Sequence, residues 1–238
     1  MLETNVHIAQ TVLEASRKSG VSRLMLMSSI KVYPLKRSGN INEHYGRTNW
    51  FYESLPAYAW SKRIMEIMAK YYNSETLHIS IARAGNVYGP GDNPTKGRVI
   101  PRFIKSALSN QDIVITDSRS QKIPFIHVKD LVVRLMRLVD VYPICDPVNI
   151  VGSESISLYD LARLIIRLTG SKSRIICSED SDVYKEYNIS ADKHKKLLGK
   201  DNFRSLEQGI KEMLSKQLYK SGYNENFTID TDIRAMCD

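Results

Sequence analysis

Long apolar runs are missing from this chain. Nowhere in its 238 residues do 18 apolar side chains follow one another, so a bilayer-spanning helix is not expected. The N-terminus, Met1-Leu2-Glu3-Thr4-Asn5, lacks both the basic start and the apolar core of a secretory signal, and the cytoplasm is the expected location. Cysteine is scarce: Cys145, Cys177 and Cys237 are odd in number, far apart and in no CxxC spacing. Neither a disulfide framework nor a structural zinc site follows from that pattern. His44 and His78 have no partner at ligand spacing either, so no metal is expected. Acidic residues are outnumbered, 26 against 34 Lys and Arg, for a net charge of +8. That balance suits anionic partners, yet no stripe of aromatic and basic residues of the RNA-binding kinds accompanies it, and nucleic acid is not an expected partner.

What is present is an ordinary globular composition, 42% hydrophobic and 25% charged, with enough apolar material for a core. Ile8, Ala9, Val12, Leu13 and Ala15 recur at helical spacing and Gly20 follows as a stop, which predicts a helix over about residues 5 to 19. The apolar run from Arg23 to Ser29 then predicts a buried parallel strand. Residues 34 to 57, polar and rich in Gly, Asn, Pro and aromatics, read as a loop. An amphipathic helix follows from Ala57 to Tyr72, and a strand from Leu77 to Arg83. Helix, strand, helix, strand is the order of a doubly wound α/β sheet. After the turn cluster Gly89-Pro90-Gly91-Asp92-Asn93-Pro94 the pattern changes to short strands near 113–115, 125–128 and 147–151. Helices near 100–108, 129–140, 157–169 and 205–216 separate them. His127 is expected to pack at a strand end, and the lysines around His194 to form a solvated helix face.

Tyr58-Ala59-Trp60-Ser61-Lys62 sets a phenol and an ammonium four residues apart, so the two share one helix face a turn apart. A cation beside a phenol favours the phenolate, which suits the pair to general acid and base work. The spacing alone also fits two ordinary helix surface residues. The segments around it resemble the extended short-chain dehydrogenase/reductase family, in its NAD-dependent nucleotide-sugar epimerase and dehydratase group. Leu26-Met27-Ser28-Ser29-Ile30-Lys31-Val32-Tyr33 is similar to that family's strand ending in a catalytic hydroxyl, and Tyr58 with Lys62 to its YxxxK pair. Ala82-Arg83-Ala84-Gly85-Asn86-Val87-Tyr88-Gly89-Pro90, Val99-Ile100-Pro101-Arg102-Phe103-Ile104, Phe125-Ile126-His127-Val128-Lys129-Asp130 and Val148-Asn149-Ile150-Val151-Gly152 resemble later family landmarks in order.

The resemblance implies an α/β fold: a partial Rossmann-like parallel sheet flanked by helices, with a smaller α/β substrate lobe. Residues 1–90 would be the C-terminal portion of an NAD(P)-binding domain and 91–220 mainly the substrate lobe, with strands returning to the sheet. Residues 221–238 would be a polar tail. It implies a catalytic set of Ser29, Tyr58 and Lys62. NAD or NADP would be contacted by Asn5, Ser28, Tyr58, Lys62 and Ala84, and a nucleotide-sugar substrate by Ser29, Lys31, Asn86, Val99 and Arg102. Hydride would move between a sugar carbon and the nicotinamide while Tyr58 exchanges the hydroxyl proton, Ser29 hydrogen-bonds the same oxygen and Lys62 holds the ribose.

Several departures from the family pattern qualify that expectation. Dinucleotides are held by a glycine-rich strand-to-helix turn; among twelve glycines the one GxG pair is Gly89 and Gly91, and Pro94 stands where GxGxxG needs its third glycine. The chain begins at what resembles the family's fourth helix, so an N-terminally incomplete member is expected, short by about 80 residues at ~30 per βαβ unit. The strand at Arg23 to Met27 should then have an unpaired edge, covered by a second copy or a partner chain. Ile123 and Pro124 stand where the family carries an Arg-Asp pair that grips a substrate phosphate, with Lys122 or Arg119 as nearby cations. Ile30 and Lys31 replace the acidic residues of decarboxylases. Lys31 and Arg98 fall where a 3,5-epimerising branch has Cys and His. A 4-epimerase or 4-keto reductase remains, against a catalytically inactive homologue acting as a binding or scaffold protein.

Overall fold

Alternation along two strands sets the architecture. In β1 (Arg23–Ser29), Leu24 and Leu26 point to one face of the sheet and Met25 and Met27 to the other. In β3 (His78–Ala84), Ile79 and Ile81 join the first face and Ala82 and Ala84 the second. Both faces of a parallel sheet have to be covered when its side chains are apolar on both. Here α1 (Leu2–Lys18) and α2 (Ala57–Tyr72) contribute Leu13 and Ala69 to one side. On the other side, α4 (Val128–Val141) and α6 (Asp192–Leu198) contribute Leu131, Leu138 and Leu198. This computed structural model describes residues 1–34, 39–46, 55–94, 97–116, 122–141, 145–177, 187–199 and 202–219.

The sheet has the order β1-β3-β7, all parallel, with β7 (Val148–Ile150) pairing Ala82 to Val148 and Ala84 to Ile150. Among the described residues β1 is therefore an end strand, paired only with β3 from Arg23↔His78 to Ser29↔Ala84. A second sheet joins β4 (Asn86–Tyr88), β6 (Lys122–His127) and β8 (Ser155–Ser157). Strands β5 (Ile113–Ile115) and β9 (Ile175–Cys177) form a third, two-stranded parallel sheet. The core near these two sheets is built from Phe103, Ile104, Leu161, Ile165 and Ile210. They come from α3 (Val99–Leu108), α5 (Leu158–Thr169) and α7 (Leu206–Tyr219). Ser157 caps α5 by accepting from the Asp160 amide at 3.0 Å, and Gly170 ends it in a left-handed conformation, φ 65°.

The chain passes from the first sheet to the second at Gly85. Ala84 pairs with Ile150 and Asn86 with Phe125, while the Gly85 amide donates to Ile150 O at 2.9 Å. A side chain there would press on Pro124 O and Val151 at 3.3 Å. The stretch expected to be a loop, 34–57, holds a strand after all: β2 (Gly39–Ile41) pairs in parallel with β10 (Tyr187–Ile189). Its partner lies far along the chain, so no local periodicity announces it. His127 is the buried last residue of β6, as its strand-end position suggested. No described helix is long and apolar enough to cross a membrane. The tail 221–238, Cys237, Arg119 and Lys200 lie outside the described residues.

Beneath the C-terminal ends of β1 and β3 runs a network of buried polar groups. Arg83 forks onto Glu66 of α2, with Nε to Oε1 at 2.9 Å and Nη2 to Oε2 at 2.7 Å, the two side chains being 3% and 6% exposed. Its Nη1 donates to the Tyr33 hydroxyl at 3.0 Å, which donates to Asn149 Oδ1 at 2.7 Å. The Asn149 amide in turn donates to Glu43 Oε1 at 2.8 Å. Ser28 Oγ donates to Glu66 Oε1. Burial works against the Arg83 charge, but the Glu66 carboxylate outweighs it and raises the pKa further above its ordinary value.

Two stability predictions follow from this interior. Glu66→Ala strands a buried guanidinium and should cost about 3–5 kcal/mol in urea unfolding. The double variant Glu66→Met with Arg83→Met should be more stable than Glu66→Ala; equal or greater loss in the double would show that the pair itself carries the stability. His194, fully buried against Phe203 with ring centroids 5.7 Å apart, has its pKa lowered to about 4, chiefly by burial, then by Arg134, Lys195 and Arg137. The unfolded chain takes up that proton near 6.5, so stability should fall as pH drops from about 6.5 to about 4. This group's share of the loss reaches about 3 kcal/mol. His194→Phe should flatten that decline, and an unchanged pH dependence would refute the assignment.

Candidate active site

β1 ends at Ser29, still extended at φ −149° and ψ 149°, and the chain turns at once into a 3-10 turn at Ile30–Val32. The Ser29 oxygen accepts from the Lys31 amide at 3.2 Å, and among the described residues its own proton has no acceptor. It therefore sits beyond the carboxyl end of a parallel strand, where open α/β sheets form their crevices.

The second contribution comes from α2. Tyr58, Lys62 and Glu66 are spaced by four residues and share one face. Lys62 Nζ donates to Met27 O at 2.7 Å, and Ser28 donates to Glu66 one turn further on. Two bonds a turn apart thus fasten this face to the last residues of β1. The Lys62 ammonium lies 5.8 Å from the centre of the Tyr58 ring, and half-burial lowers the lysine pKa below its ordinary value. Tyr58, at the open end of the helix, is 38% exposed. Asn5 of α1 braces this end from outside: its Nδ2 donates to Ser61 Oγ at 2.9 Å, and Ser61 donates to Tyr58 O at 2.7 Å.

Ser29, Tyr58 and Lys62 line one cavity of about 460 Å³. Ser28, Lys31, Ala84, Asn86 and Val99 line it too. Asn86 donates through Nδ2 to Pro124 O at 3.2 Å, which fixes the amide on its wall. Two of the expected contact residues lie off the wall. Asn5 is engaged between the helices, and Arg102 is exposed on α3, its guanidinium 5.5 Å above the Phe103 ring. Ser28 faces the cavity but spends its hydroxyl proton on Glu66.

Sequence reasoning missed Glu66 and Asp92, and named Arg98 only as the residue standing where a 3,5-epimerising branch has His. Glu66 was within reach, since it continues the Tyr58 and Lys62 spacing by one more turn. Asp92 and Arg98 line the cavity, with Arg98 Nε 3.5 Å from Asp92 Oδ1. They come from a turn in which no periodicity marks an inward side chain.

The model of the NAD dependent epimerase/dehydratase family matches residues 1–143. The chain is 32% identical over 182 residues to a dTDP-4-dehydro-6-deoxy-D-allose reductase from Streptomyces bikiniensis, covering 74% of this chain and 54% of that protein. It is 31% identical over 212 residues to UDP-glucuronic acid decarboxylase 1 from Xenopus tropicalis, covering 88% of this chain and 50% of the other. The chain thus spans about half the length of these relatives. In fold it resembles a GDP-L-fucose synthetase from Naegleria fowleri bound to NADP, with a TM-score of 0.81 at 22% identity over 93% of this chain and 74% of that one. With a hydroxyl, a phenol and an ammonium on one wall and a family match across more than half its length, the chain belongs to the NAD dependent epimerase/dehydratase family.

Proposed function

We propose that the cavity at the end of β1 is a site for oxidation and reduction at one carbon of a nucleotide-linked sugar, as in a 4-epimerase or a 4-keto reductase. The observation that carries this reading is the convergence of Ser29, Tyr58 and Lys62 on one cavity from two separate elements. NAD or NADP, held beside Tyr58, Lys62 and Ala84, would supply the hydride for a reduction, or take it up and return it in an epimerisation. Tyr58 exchanges the proton of the sugar hydroxyl at its phenolic oxygen, and Ser29, whose proton has no acceptor among the described residues, donates to the same substrate oxygen. Lys62 keeps donors beyond the one given to Met27 O, enough to hold a ribose hydroxyl.

The residues present fit one end of a dinucleotide. Lys62, Tyr58 and Ala84 offer a wall for the nicotinamide and its ribose, while the chain's own glycines form no GxGxxG turn for the pyrophosphate. Ile30 and Lys31, the residues after Ser29, carry no carboxylate to serve a decarboxylation. The rival reading, a binding or scaffold protein without turnover, draws on the missing glycine turn.

Calorimetry with NAD and NADP, followed by turnover of a dTDP-4-dehydro-6-deoxy sugar with the reduced cofactor, separates the two. An enzyme should bind one dinucleotide, and Tyr58→Phe should lower turnover by about 10²–10⁴ while leaving that binding intact. No dinucleotide binding up to millimolar concentrations would favour the scaffold, and full turnover by Tyr58→Phe would remove the tyrosine from the mechanism.

A further inference from the structure

We propose that α7 sets the fit of the cavity from outside it: Gly209 is a positioning residue that fixes the ring of Tyr88 in the cavity wall, which rests on the reading of the site given above. Tyr88 ends β4, lines the cavity and is 4% exposed. Its backbone is in register with His127 of β6. Its ring meets those of His127 and Phe125 edge to face, with centroids 5.3 and 6.2 Å away. Among the described residues its hydroxyl makes no hydrogen bond, so contact alone decides where the ring lies.

The closest of those contacts comes from α7. Gly209 is buried inside that helix, its amide donating to Ser205 O at 3.0 Å. Glycine is less favourable than alanine within a helix, and Gly209 has no left-handed backbone to require it. Space explains it instead. A Cβ at Gly209 would fall 2.2 Å from the Tyr88 hydroxyl oxygen and 2.7 and 2.8 Å from ring carbons Cε2 and Cζ. At such distances an added methyl group displaces either the helix or the ring.

Of the two, the ring is the one with room to move. α7 is fastened one turn beyond Gly209, where Glu212 Oε1 meets Lys129 Nζ at 2.6 Å. Glu212 Oε2 lies 3.6 Å from His127 Nε2 and 3.7 Å from Arg204 Nε, and Arg204 is itself paired with Asp130. Leu206, Ile210 and Met213 of the same helix are buried in the core. The backbone of Tyr88 is pinned as well, because a Cβ at the next residue, Gly89, would fall 2.5 Å from Val128 Cγ1. Only the side chain of Tyr88 can give way, and the open space beside it is the cavity of about 460 Å³. Bulk added at Gly209 therefore drives the ring into the space a substrate needs. Tyr58, Lys62 and Ala84 stand on α2 and β3, outside the reach of this displacement.

The test is a double-variant cycle on the full chain, read by steady-state kinetics with a dTDP-4-dehydro-6-deoxy sugar and the reduced cofactor, and by calorimetry of dinucleotide binding. Gly209→Ala should raise KM for the sugar nucleotide about tenfold, with kcat and dinucleotide affinity little changed. In a Tyr88→Leu background, which lacks the ring atoms that meet the new methyl group, the same substitution should change KM less than about twofold. Glu212→Gln adds no bulk and loosens the fastening to Lys129. It should raise KM about threefold and lose that effect in the same background, a readout independent of whether Gly209→Ala folds. Lys211→Ala, on the exposed side of α7, should leave KM as it was. Unchanged KM in both α7 variants would overturn the proposal, as would an increase that persists without the Tyr88 ring; either leaves the reading of the site standing. Absence of turnover by the unmodified chain would overturn that reading, and the role of Gly209 with it.

Discussion

A guanidinium that water hardly reaches has to be matched where it stands, and the end of the sheet at which the cavity opens is organised around matching Arg83. The carboxylate that meets it comes from α2, the hydroxyl from the segment after β1, and the amide that orients this hydroxyl from β7. Of these, α2 and the segment after β1 also border the cavity. Leaving any partner out would strand a charge or a polar group in a low-dielectric interior, at a cost larger than most packing defects. The network therefore fixes the relative placement of β1, β3, β7 and α2 more sharply than apolar contacts do, because hydrogen bonds have direction and the side chains of the core do not.

That placement explains how two bonds on one helix face can hold a site together. Glu66 reaches Ser28 and Lys62 reaches the carbonyl of Met27, so α2 grips the two residues immediately before Ser29. Ser29 itself is left to turn the chain and to present its proton. Tyr58, one turn before Lys62, overhangs the crevice without any bond to β1 among the described residues, and its exposure follows from lying beyond the gripped turns. The inflexible part of the site is thus the strand end and the lysine, while the phenol stands where substrate can reach it. On the far side Gly85 performs the corresponding task. By carrying the chain from one sheet to the other between Pro124 and Val151, it brings Asn86 onto the wall that faces Ser29.

Much of this was legible in the residues. The helix at Ala57 to Tyr72 and the strand at Ile113 to Ile115 fall where periodicity placed them, because their burial patterns are local and complete within a few turns or residues. The strands that escaped notice, β2, β8, β9 and β10, are three residues each and exist through partners elsewhere in the chain. Short strands carry too few side chains for an alternating pattern to stand out. The catalytic candidates were found through motif order, and their meeting on one cavity rests on the tertiary fold. Arg102, which the resemblance brought to the site, lies three positions beyond Val99 on α3, off the cavity wall and over Phe103.

The cations of the cavity differ in what restrains them, and that difference divides the cavity by chemistry. Lys62 is bound to a neutral carbonyl, and half-burial disfavours its charged form and lowers its pKa. Arg98 leans instead on a carboxylate at 3.5 Å while more than half of its side chain meets solvent, which restrains its orientation and leaves donors for a second anion. Of the cations on the cavity wall, Lys62 is thus held by a neutral group and Arg98 beside a carboxylate.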